Sequence, residues 1–179
     1  MTDAQSPEYG RLNPMPDLML SALETLVRCE SPTEDLIACR EVVEVASAIA
    51  ADVLGTPAQI REIEGRPVFW WGSERPKVLV LAHLDTVWPI GSFQPLWSVE
   101  ADVVRGPGVF DMKAGFVQAL YALKGIEGDV ALVATTDEEI GSHKSKALIK
   151  ELSTSAEAVL VLEASLDGKV KTGRKGTAM

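Results

Sequence analysis

Between Pro16 and Arg28 the apolar residues Met19, Leu20, Leu23, Leu26 and Val27 recur at helical spacing, which predicts an amphipathic helix. Ser31-Pro32-Thr33-Glu34 then reads as a capping box, with Ser31 as cap, Pro32 in the first helical position and Glu34 reaching back. The helix it opens is expected to run to about Leu54, where Gly55 stops it. Gln59 to Glu64 and Val68 to Trp71 read as two strands joined at Gly65-Arg66-Pro67. Lys77 to Ala82, Asp129 to Thr136 and Ala158 to Leu162 are short, nearly continuous apolar runs, the pattern of strands buried on both faces. Ser98 to Val104 is a shorter strand candidate. Helices are predicted over Lys113 to Leu123 and over Ser142 to Leu152. Strands and helices alternate, which predicts an α/β fold: a mainly parallel sheet flanked by helices, with right-handed crossovers.

The polar residues that follow these apolar runs carry the chemistry. His83 and Asp85 follow one, Glu138 and Glu139 a second, Glu163 a third, and Asp111 follows the turn Gly106-Pro107-Gly108 and opens a helical pattern. The carboxyl edge of an open α/β sheet is where ligands bind. Taken singly, His83 is an ordinary polar loop residue, Asp111 a helix N-cap and Glu138-Glu139 a solvated turn. Together on one rim they read as a zinc site with a neighbouring general base. Asp85, two residues beyond His83, is placed to accept the second ring N–H and fix the tautomer. Adjacent Glu138 and Glu139 diverge in extended backbone, so one can bind metal while the other faces substrate. Asp111 has two oxygens to bridge a pair of metals, and Glu163 completes one set. His143 is read as capping or lining the helix that follows it.

Composition narrows the classes. The chain has 179 residues, 46% hydrophobic and 24% charged, as expected for one ordinary domain. A formal net charge of −9 argues against nucleic acid or an anionic membrane as partner. The polar stretch from Met1 to Pro16 lacks an apolar signal core and no run is long enough to span a membrane, so cytoplasm is the expected location. Cys29 and Cys39 are the only two cysteines and are expected to be free, Cys39 as a small core residue.

Three ordered motifs, His83-Leu-Asp85-Thr-Val-Trp-Pro89, Arg105-Gly-Pro-Gly-Val-Phe-Asp111-Met-Lys-Ala-Gly115 and Thr136-Asp-Glu138-Glu139-Ile-Gly-Ser142, resemble the dinuclear zinc peptidases. These are the aminoacylases and glutamate carboxypeptidase-like metallopeptidases, and Glu163 and Gly173-Arg174-Lys175-Gly176 extend the likeness. The resemblance implies roles. His83 and Glu163 resemble ligands of one zinc, Asp111 the bridging carboxylate, Glu139 a ligand of the second zinc. Glu138 resembles the general base and Asp85 the partner orienting His83. It implies two Zn²⁺ per complete site, with Co²⁺ or Mn²⁺ as alternatives, and cleavage of an amide bond next to a free carboxylate. The implied substrates are N-acyl amino acids or short peptides.

One departure is large. The family carries a second metal-binding histidine far downstream, whereas His83 and His143 are the only histidines here. The family also inserts a lid and dimerisation domain after a segment like Thr172 to Thr177. The expected organisation is therefore a flexible terminus over 1–15, a partial catalytic domain over 16–170, and the start of a lid over 171–179. A chain so divided is expected to resemble the first part of the enzyme, to be inactive alone, and to dimerise only with its lid. The alternatives are a non-catalytic, partner-binding α/β fragment and a dinuclear aminopeptidase that prefers a free α-amine.

Overall fold

The computed structural model describes residues 17–165 and 168–173. The expectations for 1–15 and for Arg174-Lys175-Gly176, and most of that for 171–179, lie outside the described residues. Helix α1 (Asp17–Arg28) buries Leu23, Leu26 and Val27, with Asp17 and Arg28 at the ends where their charges favour the helix dipole. Helix α2 (Leu36–Leu54) starts later than the capping box predicts. Its cap is Asp35, whose Oδ1 accepts the N–H groups of Ile37 and Ala38 at 3.0 Å each. Ser31 is drawn away because its hydroxyl donates to Leu84 O at 2.6 Å, and Pro32 forms a parallel bridge with Thr86. Gly55 ends the helix in the left-handed region at φ 80°.

The strands β1 (Gln59–Ile63), β2 (Arg66–Gly72), β3 (Val78–His83), β6 (Val130–Thr135) and β7 (Ala158–Val161) form one sheet in the order β1-β2-β6-β3-β7. The pairs β3–β6 and β3–β7 are parallel, and β2 is antiparallel to both of its neighbours, so four of the five strands share a direction. Ser98 to Val104 is a hairpin, not one strand: β4 (Ser98–Glu100) turns at Ala101-Asp102 into β5 (Val103–Arg105). Helix α3 spans Ala114–Ala122, and α4 spans Lys146–Ser155, four residues later than predicted. Backbone N–H groups of Lys144 and Ser145 are held by the Asp137 carboxylate, which keeps that segment out of the helix.

Alternation along each strand divides the core. Phe69, Val80, Ala82, Leu132 and Ala134 pack under α1, α2 and α3, while Val68, Trp70, Leu79, Ala131 and Val133 pack against Leu148 and Leu152 of α4. Phe69 meets Phe116 edge-on at 5.0 Å between centroids, an arrangement that contributes roughly 1 kcal/mol beyond its buried area. The sequence reading of β7 as a buried strand is wrong, for all four of its residues are exposed. It is an edge strand of the sheet, with β3 on one side only. Among the described residues no helix is long and apolar enough to cross a membrane.

Candidate metal centre

Parallel register brings three strand ends to one edge. His83 closes β3 and stands opposite Thr135 of β6, and Leu84 N–H donates to Thr135 O at 2.9 Å. Leu81 pairs with Val161, so continuing the same register carries Glu163 beside His83. Asp111 arrives from another direction. It lies in an irregular turn, Val109–Lys113, with extended dihedrals (φ −125°, ψ 95°), three residues before α3 begins. It does not open the helix, as its position after Gly108 suggests. Instead the turn is anchored by Lys113, whose buried ammonium donates to the carbonyls of Leu26 and Cys29 at 3.0 Å each. Those carbonyls belong to the end of α1, where a cation is favoured.

His83 is the hub. Its Nε2 lies 3.0 Å from Asp111 Oδ1 and 3.9 Å from Glu163 Oε1. Its Nδ1 faces Asp85, 3.1 Å from the backbone carbonyl and 3.4 Å from Oδ1. Burial alone pushes this imidazole down, but the hydrogen bond and charge of Asp85, joined by Asp111 and Glu138, prevail and raise its pKa to about 9. Asp85 is itself almost fully buried. Burial raises its pKa, yet His83, Thr33 and the Glu139 N–H outweigh that and hold it below the usual carboxylate range. Its two oxygens accept from Thr33 Oγ1 at 2.8 Å, Glu138 N at 3.3 Å and Glu139 N at 3.2 Å.

The rim is crowded with negative charge. Burial, then the neighbouring Asp111, Asp85 and Glu138, push Glu139 up to about 7 against the opposing pull of His83. Burial and the charges of Asp111 and Glu138 likewise raise Glu163. Glu138 and Glu139 start a single 3₁₀ turn ending at Ile140. Glu139 also borders an open groove of about 780 Å³ lined by Leu36, Ile37, Val87, Ile90 and Ile140.

Of the residues singled out from the sequence, His83, Asp111 and Glu163 converge, each offering one ligand atom within 4.8 Å of the others. This donor set, one imidazole nitrogen and two carboxylate oxygens, fits a divalent cation that keeps a position open for water or substrate. Glu139 is not within that group, and His143 is exposed and stands outside it. Both cysteines are free thiols. Thr33, Arg66 and Lys113 are polar groups of the site's support that the sequence reading did not single out. In the sequence Thr33 reads as part of a capping box and Arg66 as part of a turn. The signal for Lys113 was its place two residues after Asp111, on the buried side of the turn.

A sheet rim that gathers an imidazole and several carboxylates is the donor set that metal-dependent hydrolases use. The model of peptidase family M20/M25/M40 matches residues 79–176, more than half of the chain, and the chain belongs to that family. It is 34% identical over 111 residues to carboxypeptidase G2 of Pseudomonas sp. (strain RS-16), covering 56% of this chain and 27% of that protein. It is 31% identical over 106 residues to N-acetyl-L-citrulline deacetylase of Xanthomonas campestris pv. campestris, covering 55% of this chain and 28% of that one. The chain thus spans little more than a quarter of the length of these curated relatives. Among solved structures, an M20 family metallo-carboxypeptidase of Sulfolobus solfataricus superposes with a TM-score of 0.65 at 21% identity, covering 83% of this chain and 38% of that one. A Staphylococcus aureus tripeptidase gives 0.60 at 22% identity, covering 84% and 44%. Both likenesses support the mixed sheet of mainly parallel strands flanked by helices.

Proposed function

We propose that residues 16–170 are part of the catalytic domain of a zinc-dependent hydrolase that cleaves an amide bond next to a free carboxylate. The carrying observation is the convergence of His83, Asp111 and Glu163, from three separate stretches, on one point of the rim. The matches to a carboxypeptidase and an N-acyl amino acid deacetylase support the bond type. N-acyl amino acids and short peptides are the substrate class.

His83, Asp111 and Glu163 would hold one zinc, and Glu139, which borders the groove, would serve a second together with Asp111. A divalent cation there supplies Lewis acidity toward the scissile carbonyl and the attacking water. Glu138 takes the proton of that water, keeps it on its carboxylate and delivers it to the leaving nitrogen. Asp85 keeps the His83 ring turned so that Nε2 faces the rim. Its own hydrogen bonds from the Glu138 and Glu139 N–H groups fix the turn that carries the base.

Zinc titration of the metal-free chain tests the centre. One equivalent is expected to bind and to be lost in His83→Ala and in Glu163→Gln. Wild-type protein that binds no zinc refutes the proposal. Bond type is tested by comparing an N-acyl-glutamate with an unblocked dipeptide. Preference for the free α-amine would point instead to an aminopeptidase.

A further inference from the structure

Arg66 is a buried cation that the mechanism above does not use. It opens β2, is 9% exposed, and makes no ion pair with a carboxylate among the described residues. Taking a guanidinium out of water costs several kcal/mol in general, and carbonyl dipoles offset that only when closely placed. Here one nitrogen, Nη1, donates to two carbonyls at once: that of Thr33 and, at 3.2 Å, that of Thr136.

Those carbonyls belong to the two segments that grip Asp85 from different sides. The first runs through Ser31-Pro32-Thr33. It pairs with the chain beyond His83, since Thr33 N–H donates to Thr86 O at 3.1 Å and Thr86 N–H to Ser31 O at 2.8 Å. From it the Thr33 hydroxyl donates to Asp85 Oδ2. The second runs from Thr136 into Glu138 and Glu139, whose N–H groups donate to Oδ1 and Oδ2. Thr136 is further tied beside Arg66 by its hydroxyl, which donates to Pro67 O at 2.8 Å. The Cys39 thiol lies near carbonyls of both halves as a weak donor, and Arg66 bonds to both with a charged one.

We infer that Arg66, acting with Thr33, is a positioning residue that closes this clamp on Asp85 and so orients His83 toward the cation. The inference rests on the metal-centre reading above. Partners one shell behind a ligand typically change metal affinity by roughly 10–100-fold. Arg66 bonds to none of His83, Asp111 and Glu163, so its effect on them passes through the Thr33 and Thr136 segments that hold Asp85.

The test measures zinc affinity of the whole chain against a competing chelator, with Co²⁺ absorption reporting ligand geometry. Arg66→Met, one contact further from His83 than Thr33, is expected to bind zinc up to roughly tenfold more weakly than wild type, with an altered Co²⁺ spectrum and unchanged far-ultraviolet circular dichroism. Arg66→Lys, which keeps a charged donor, is expected to recover part of that loss. Thr33→Val, which removes only the hydroxyl, is expected to weaken binding roughly tenfold, and the double variant to lose less than the product of the two. A folded Arg66→Met with wild-type affinity and spectrum overturns the inference. Should that variant fail to fold, Thr33→Val decides, and affinity equal to wild type overturns it. Wild-type protein that binds no zinc overturns the metal-centre reading itself, a result distinct from either.

Discussion

Gly115 lies so close to Leu162 that a β-carbon added to it would stand 2.4 Å from the Leu162 carbonyl oxygen. The contact joins the first turn of α3 to the chain just past β7, one residue before Glu163. The opposing atom is backbone and has no rotamer with which to step aside. Gly115→Ala must therefore push the end of β7 away from α3, despite alanine's better helix propensity. Overpacking of this kind costs about 1–3 kcal/mol. The expected outcome is a lower urea midpoint together with weaker zinc binding, because Glu163, the residue after Leu162, is a proposed ligand. An unchanged midpoint would mean that the strand end gives way freely.

Lys113 ties the turn carrying Asp111 to α1. Lys113→Met has nearly the same length and keeps the packing, but leaves the Leu26 and Cys29 carbonyls short of a donor. A buried acceptor stripped of its partner costs about 1–3 kcal/mol. Removing a buried charge returns part of that, since burial holds the Lys113 pKa down at about 8. A net loss on the order of 1–2 kcal/mol is expected in denaturant unfolding. Stability equal to or above wild type would show that the charge costs more than its two bonds give.

Much of this arrangement was legible from the order of residues, for a reason that does not extend to all of it. Continuous apolar runs ending in His83, Glu138 and Glu163 mark parallel strands, and parallel strands deliver their carboxyl ends to one edge. What periodicity cannot show is where backbone polar groups find partners across the fold. Ser31 looks like a helix cap, but Leu84, 53 residues away, offers its hydroxyl a buried acceptor, and the helix starts at Leu36 under Asp35. Arg66 sits in what reads as a turn and proves to be a buried bridge between two loops. The apolar run of β7 predicts burial and the strand is exposed, because such a run records the capacity to be covered, not the presence of a cover.

Glu138 and His83 are predicted to separate binding from chemistry. Glu138→Gln keeps size and removes the basic oxygen, so zinc affinity is expected to stay within a few-fold of wild type. Hydrolysis by a catalytically competent preparation is expected to fall by several orders of magnitude, since the base and the returning acid are lost together. His83→Ala is expected to abolish both. Parallel loss of zinc and turnover in Glu138→Gln would instead place Glu138 among the ligands.

Cys39 makes a prediction about alkaline stability. Its thiol is buried beneath the clamp, with Sγ near the carbonyls of Pro32, Thr33 and Thr136. Burial, then the charge of Asp85, raise its pKa from 9.0 to about 11, against the opposing pull of Arg66. In the unfolded chain the thiol ionises from about pH 9, while in the fold it stays neutral until about 11. Its contribution is therefore fully present below pH 9 and is lost as pH rises toward 11. Lys113, with its lowered pKa, acts in the opposite direction over part of the same range, so the wild-type curve alone does not isolate Cys39. Cys39→Ala leaves the lysine in place and removes only the thiol. The stability gap between the two proteins is expected to narrow by on the order of 1 kcal/mol between about pH 8 and pH 10.5, measured by urea unfolding. A gap that stays constant across that interval would show that the thiol ionises as readily in the fold as in the open chain.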